Sequence, residues 1–174
     1  CNYNCKEEGY SKIEADIDYF FNVCYFDNDI TVLEDFISNS LSTINYDMDT
    51  NDNNLIEWFE LGSQEWSQGR IINFWSYYNR DTNIYTNPYS DIKYSANLSG
   101  NIPESIINWK NIELLQLGLG RFDGSLTGNI DILTELTSLK HLCIQNNNFN
   151  SGPLPDNIYN LTNLQTLYIA KNNL

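Results

Sequence analysis

His141 and Cys143 stand two residues apart in LKHLCIQNNN, a separation that puts both side chains on one face of a strand. A Cys–His pair is the material of a thiolate nucleophile, with the imidazole taking the thiol proton. The sequence places no oxyanion donor and no pocket-forming segment beside the pair. Ligand contact rather than catalysis is therefore predicted for it, and the chain is expected not to be an enzyme. There is no phosphate-cradling G-x-x-x-x-G-K and no zinc spacing. A second group is richer in oxygen. Asp49, Asn51, Asn53, Glu57 and Glu60 fall at places one, three, five, nine and twelve of DTNDNNLIEWFE. Calcium is held by such a crowd of hard oxygens, closed by one bidentate acid.

That spacing resembles the EF-hand loop, with Ile56 at its apolar eighth place and calcium as the implied candidate cofactor. Asn54 stands where the loop wants glycine, although Asn accepts the left-handed conformation better than most residues. A polar loop capping the next helix explains the same residues. In a chain so rich in Asp and Asn, that reading takes precedence.

The elements that position these residues repeat. Leu98, Phe122, Phe149 and Leu174 recur at spacings of 24, 27 and 25 residues. Three further columns run Ile112, Leu139, Leu164; Leu115, Leu142, Leu167; and Leu117, Ile144, Ile169. The words IELLQL, LKHLCI and LQTLYI share the pattern L-x-x-L-x-L, which predicts short strands stacked in parallel with the intervening residues outward. Asn147 and Asn172 follow their strands, where an amide can bond backbone groups left by the turning chain. Gly100, Gly124 and Gly152 suit tight backbone, and Pro103 and Pro155 fix φ on the return side. LSGNIPESIINWKNIELLQL and SGPLPDNIYNLTNLQTLYIAKNNL resemble plant-type extracellular leucine-rich repeats, of the receptor-ectodomain or polygalacturonase-inhibitor kind. Gly120 replaces the expected Asn of the first repeat, and the middle repeat, with LTGNIDIL, lacks the proline, so its convex side is expected to bulge.

Before the repeats, Ile13, Ile17, Phe20, Phe21 and Cys24 follow helical spacing. So do Leu33, Phe36, Ile37 and Leu41, after a DND that can cap a helix. Leu55, Ile56 and Phe59 predict a third short helix ending near Gly62, WSQGRIINF a strand, and Asp91 to Ser95 another extended piece. Residues 1–97 are thus expected to form a mainly helical cap, which a solenoid needs at its end. Residues 98–174 are expected to form about three rungs of an α/β leucine-rich-repeat solenoid.

The 174-residue chain is 41% hydrophobic, enough for a core, and no apolar run approaches a membrane span. Net charge is −14, of which −12 falls in residues 1–97, so neither nucleic acid nor insertion into a membrane is expected. Cys24 with Cys1 or Cys5 are the disulfide alternatives, while Cys143 is expected to be free. The sequons at Asn97 and Asn160 would accept glycan, and the whole set leans towards a secreted, extracellular or cell-surface protein.

The predicted function is binding of a protein or glycan on the concave strand face. That face is expected to present Leu114, Gln116, Gly118 and Leu119; His141, Cys143, Gln145 and Asn146; and Thr166, Tyr168, Ala170 and Lys171. The alternative is a structural subunit of an extracellular assembly. The last rung stops without a lid, so self-association or further repeats are expected beyond it. Ice binding would want regular ranks of Thr, and Thr166 stands almost alone.

Overall fold

The computed structural model describes residues 9–12, 24–78, 94–118, 125–150 and 152–174. In chain order the elements are β1 (Tyr10–Lys12), β2 (Cys24–Phe26), helix α1 (Asp27–Asn39), β3 (Ser63–Ser67), β4 (Arg70–Trp75), β5 (Tyr77–Tyr78), β6 (Tyr94–Ser95) and β7 (Ser99–Asn101). They continue with β8 (Leu114–Gln116), β9 (Ser125–Gly128), β10 (His141–Cys143), β11 (Asn148–Phe149) and β12 (Thr166–Tyr168). Single 3-10 turns cover Glu104–Asn108, Asp131–Glu135 and Asp156–Asn160.

The L-x-x-L-x-L words give β8, β10 and β12, parallel and in register, with Leu115 beside Leu142 beside Leu167. The first residue of each word precedes its strand and points inward: Ile112 and Leu139 are buried, and Leu164 packs half-buried against the core. Leu167 and Ile169, expected inside, are only half-buried, because β12 is the last strand in the sheet order β12-β10-β8-β4-β3. The sheet reaches into the cap. β4 pairs parallel with β8 in the same register, Phe74 beside Leu115. Ile71-x-x-Phe74 thus occupies the columns of Ile112 and Leu115, a degenerate copy of the repeat word.

WSQGRIINF is not one strand but parts of two. β3 and β4 form an antiparallel hairpin through Gln68 and Gly69, both at positive φ (50° and 77°), as a two-residue turn that follows strand twist requires. Gly62 leads into it at φ 62°, where a Cβ would stand 2.2 Å from the Trp75 carbonyl oxygen.

A second parallel sheet, β11-β9-β7, runs along the return side. Leu98, Leu126 and Phe149 are all buried beside it, but they do not share a register position: Leu126 faces Gly100 and Phe149 faces Gly128. Leu126 belongs to an LTGNI word that matches LSGNI; Phe122, expected in the column of Leu98, lies outside the described residues, as do Gly120 and Gly124. The positive-φ glycine of that word is Gly128 (φ 86°). The middle repeat does not bulge at its 3-10 turn, which keeps five residues like the other two. What the missing proline changes is the entry: Ile130 sits at φ −94°, ψ 1°, whereas Pro103 and Pro155 are extended. Each turn ends on a buried apolar residue, Trp109, Leu136 or Leu161.

The cap departs further from expectation. Among the described residues of 1–97 there is one α-helix, and strands supply most other elements. Cys24 lies in β2, antiparallel to β1, rather than on a helix; Ile13, Ile17, Phe20 and Phe21 lie outside the described residues. Asp27, Asn28 and Asp29 form the first turn of α1 instead of capping it, and Phe26 is the N-cap, with no side-chain capping bond. The two acids suit the positive end of the helix dipole. Leu41, past the helix end, is 62% exposed. Leu55 to Gly62 is turn and bend, not helix, and of the last extended piece Tyr94–Ser95 is described, paired with β5. Cys24 is disulfide-bonded, Cys143 is a free thiol, and Cys1 and Cys5 lie outside the described residues.

One polar cluster locks cap to rungs. Asp29, wholly buried, accepts from Arg70 Nε at 2.8 Å, Arg70 Nη2 at 2.9 Å and the Ile71 N–H at 3.0 Å. The Asp29 carbonyl accepts from Trp109 Nε1 at 2.9 Å, and Arg70 Nη2 also donates to the Asn108 carbonyl. Above this lock Phe36, Phe74 and Trp109 pack mutually, with centroids 5.3–6.1 Å apart.

Arg70→Leu leaves a buried carboxylate without its cation and is expected to cost about 3–5 kcal/mol. Leu142→Ala, which opens space in the middle rung, is expected to cost about 2–5 kcal/mol. Denaturant unfolding of the two variants checks both values.

Candidate functional site

Register alignment carries two rows of side chains across the five-stranded sheet. One row runs Glu65, Asn73, Leu114, His141, Thr166; the other runs Ser63, Trp75, Gln116, Cys143, Tyr168. Cross-strand bonds tie neighbours in the first row. Asn73 Nδ2 donates to Glu65 Oε2 at 2.5 Å, and His141 Nδ1 lies 2.5 Å from Thr166 Oγ1. Asn73 and Trp75 extend the face beyond the residues read from sequence. The signal for them was Ile71-x-x-Phe74, hidden because Phe replaces Leu.

Of the predicted face, Leu114, His141, Cys143, Gln145 and Thr166 are half-buried, while Tyr168, Ala170 and Lys171 are exposed. Gln116, expected outward, is 5% exposed: it lies between Trp75 and Cys143 in its row, and its amide donates to the Gly118 carbonyl. Gly118 is itself buried, so tightly that a Cβ would fall 1.8 Å from the Gln145 carbonyl oxygen. Asn146, also expected on the face, is buried. Its N–H donates to the Ala170 carbonyl of the next rung, which covers it, whereas Lys171, in the same left-handed conformation, is exposed. Leu119 lies outside the described residues.

The Cys–His pair does not assemble a nucleophile. Cys143 Sγ donates to the Gly118 carbonyl at 3.3 Å while His141 bonds Thr166. Burial pushes the Cys143 thiol above its ordinary pKa, against the thiolate.

Behind the strands, Asn147 and Asn172 hold the turns. Asn147 Nδ2 donates to the Leu117, Ile144 and Gln145 carbonyls, and its Oδ1 accepts from the Leu126 N–H. Asn172 repeats this one rung on, bonding the Ile144 and Ile169 carbonyls and the Phe149 N–H.

The acidic loop folds onto itself. Asp49 and Glu60 are buried; Asn51 and Asn53 are exposed, and Glu57 is half-buried. Asp49 accepts from the Asn53 and Asn54 N–H groups, and Glu60 Oε1 accepts from the Thr50 N–H and hydroxyl at 2.7 and 2.6 Å. Glu57 accepts from Asn53 Nδ2 and Asn51 Nδ2. Asn54 takes the left-handed conformation at φ 63°. These bonds account for the loop as a polar turn, and among the described residues no three His, Cys, Asp or Glu side chains converge as metal ligands. The sequon residues Asn97 and Asn160 are both exposed, the latter at the end of the last 3-10 turn.

The arrangement has counterparts among solved structures. The BIR2 ectodomain from Arabidopsis thaliana aligns over 85% of this chain and 68% of its own at 21% identity, with a TM-score of 0.51. A plant ice-binding protein covers 85% of this chain and 49% of its own at 19% identity and TM-score 0.47. The LRR ectodomain of the receptor kinase SOBIR1 from Arabidopsis thaliana is 28% identical over 43% of this chain and 37% of its own, with a TM-score of 0.35. The alignment thus spans less than half the length of the last two. No family model matches the chain, and no curated protein matches its sequence. The likeness to BIR2 is one of fold: parallel strands in a leucine-rich-repeat-like arrangement.

The acidic loop carries a pH dependence. Burial, then a bond to Glu57, raises Glu60 above its ordinary 4.5. Burial acts on Glu57 in the same sense, but hydrogen bonds from Glu60, Asn53 and Asn51 outweigh it and lower that pKa. The stability Glu60 contributes is therefore full below its unfolded pKa and is lost as pH rises through the folded one. That of Glu57 is present above its unfolded pKa and lost as pH falls through the folded one. Glu60→Gln keeps the neutral form, so its melting temperature should fall less than the parent's as pH rises from the carboxylate range towards neutrality. Thermal melts of both proteins across that range test this.

Proposed function

We propose that this chain is an extracellular recognition module, a leucine-rich-repeat solenoid that binds a protein or glycan partner on the outward face of its five-stranded sheet. The observation that carries the reading is the pair of in-register rows, which fixes side chains from five strands at strand spacing. Such a surface is rigid before a partner arrives, so little ordering is required on binding. Tyr168, 55% exposed at the end of its row, is the aromatic of a kind enriched in binding hot spots. Mixed polar and aromatic character suits a protein or a sugar better than a charged small molecule. Glycan at Asn160 would sit on the return side and leave the strands free. An acidic cap argues against nucleic acid, and no helix among the described residues is long and apolar enough to cross a membrane. Pairing of Cys24 with Cys1 or Cys5 suits an oxidising compartment.

A second reading, a structural subunit, is favoured by one feature. β12 pairs with β10 and ends the sheet order, leaving a strand edge flanked by half-buried Leu164, Leu167 and Ile169. Another copy would pack there.

The test is a screen of the biotinylated chain against arrays of extracellular domains and of oligosaccharides, with light scattering of the same sample. Recognition predicts a ligand whose affinity falls by about 2 kcal/mol or more in Tyr168→Ala, with unchanged melting. A ligand indifferent to Tyr168 and to Lys171→Ala would remove the sheet face from the proposal. Concentration-dependent polymerisation would favour the structural subunit.

A further inference from the structure

Three of the seven exposed large hydrophobic side chains among the described residues, Leu41, Tyr46 and Leu55, meet at one place. They rim a groove of about 310 Å³ between the second half of α1 and the segment 44–58, and buried Ile44 and Ile56 form its floor. Leu41 and Leu55 are 62% and 63% exposed. Single exposed leucines need no explanation, but a cluster around a concavity of this size does. The groove lies on cap elements, apart from the rows of the sheet face.

Its charge selects the occupant. Glu34, exposed, and Glu57 stand in the groove wall. From Cys24 to Tyr78 the chain carries ten acidic side chains and one basic, Arg70, which is engaged with the buried Asp29. No cation in that stretch offsets the field over the groove, so an anionic ligand is repelled and a cationic one is drawn in. A neutral apolar molecule would gain nothing from the acidic wall.

We propose that this groove docks a cationic amphipathic segment of a partner protein, with a bulky apolar side chain between Leu41 and Leu55 and Lys or Arg beside Glu34 and Glu57. Apolar contact supplies affinity, and the acids supply orientation and selection against acidic segments. The inference does not rest on the sheet face.

The test uses the 174-residue chain and three fluorescent synthetic peptides, one of leucine and lysine in helical alternation, one with glutamate for lysine, and one with serine for leucine. Anisotropy should show the leucine–lysine peptide binding at least roughly tenfold tighter than either control, with the difference from the glutamate peptide shrinking in high salt. Leu55→Ser and Glu34→Lys, both at exposed positions, should each weaken that peptide several-fold at unchanged melting temperature, and Tyr168→Ala should leave it untouched. If one variant is destabilised, the other decides. Equal binding of the glutamate peptide, equal binding of the serine peptide, indifference to both variants, or no binding would each overturn the proposal.

Discussion

A single buried carboxylate joins the parts of this protein. Asp29 lies in the first turn of α1 and receives both arms of Arg70 from the start of β4, while the carbonyl of the same residue receives the indole of Trp109. An ion taken out of water is costly unless its lone pairs are satisfied, and here the Ile71 N–H completes the set. That requirement fixes the helix against the hairpin and the hairpin against the Glu104–Asn108 turn at once. The Phe36, Phe74 and Trp109 packing depends on the placement, since each ring belongs to a different one of those parts.

Beyond the lock, order propagates by repetition. The Glu113 N–H donates to the Ile72 carbonyl, that of Lys140 to Glu113, and that of Gln165 to Lys140, all at 2.7–2.8 Å. The same backbone bond recurs at each step because the apolar columns put each rung in the same position on its neighbour. Each of these bonds joins a segment only to its immediate neighbour in the sheet. The series begins before the repeat words, because β4 is the strand beside which β8 pairs.

What could be read from sequence followed this division. L-x-x-L-x-L sets burial through local alternation, so β8, β10 and β12 and their mutual register were legible. Asn147 and Asn172 were legible for the same reason. β4 carries the word in the form Ile71-x-x-Phe74, too short to stand out without its partner strand. Gln116 and Asn146 were misplaced because their burial comes from the adjacent rungs rather than from their own alternation. In the cap, apolar spacing over 55–59 fits a helix as well as a turn, and the polar bonds of Asp49 and Glu60 decide in favour of the turn.

Asn147 also bears on how the protein ages. Its amide nitrogen faces the carbonyls of Leu117 and Ile144, and only an amide can donate to both while accepting from Leu126. Asparagine is among the thermolabile side chains, and hydrolysis turns it into aspartate without any enzyme. A carboxylate at this place would set oxygen against oxygen inside two neighbouring rungs at once, leaving buried acceptors without donors. Asn172, bonded to the Ile144 and Ile169 carbonyls and the Phe149 N–H, carries the same liability one step along the sheet.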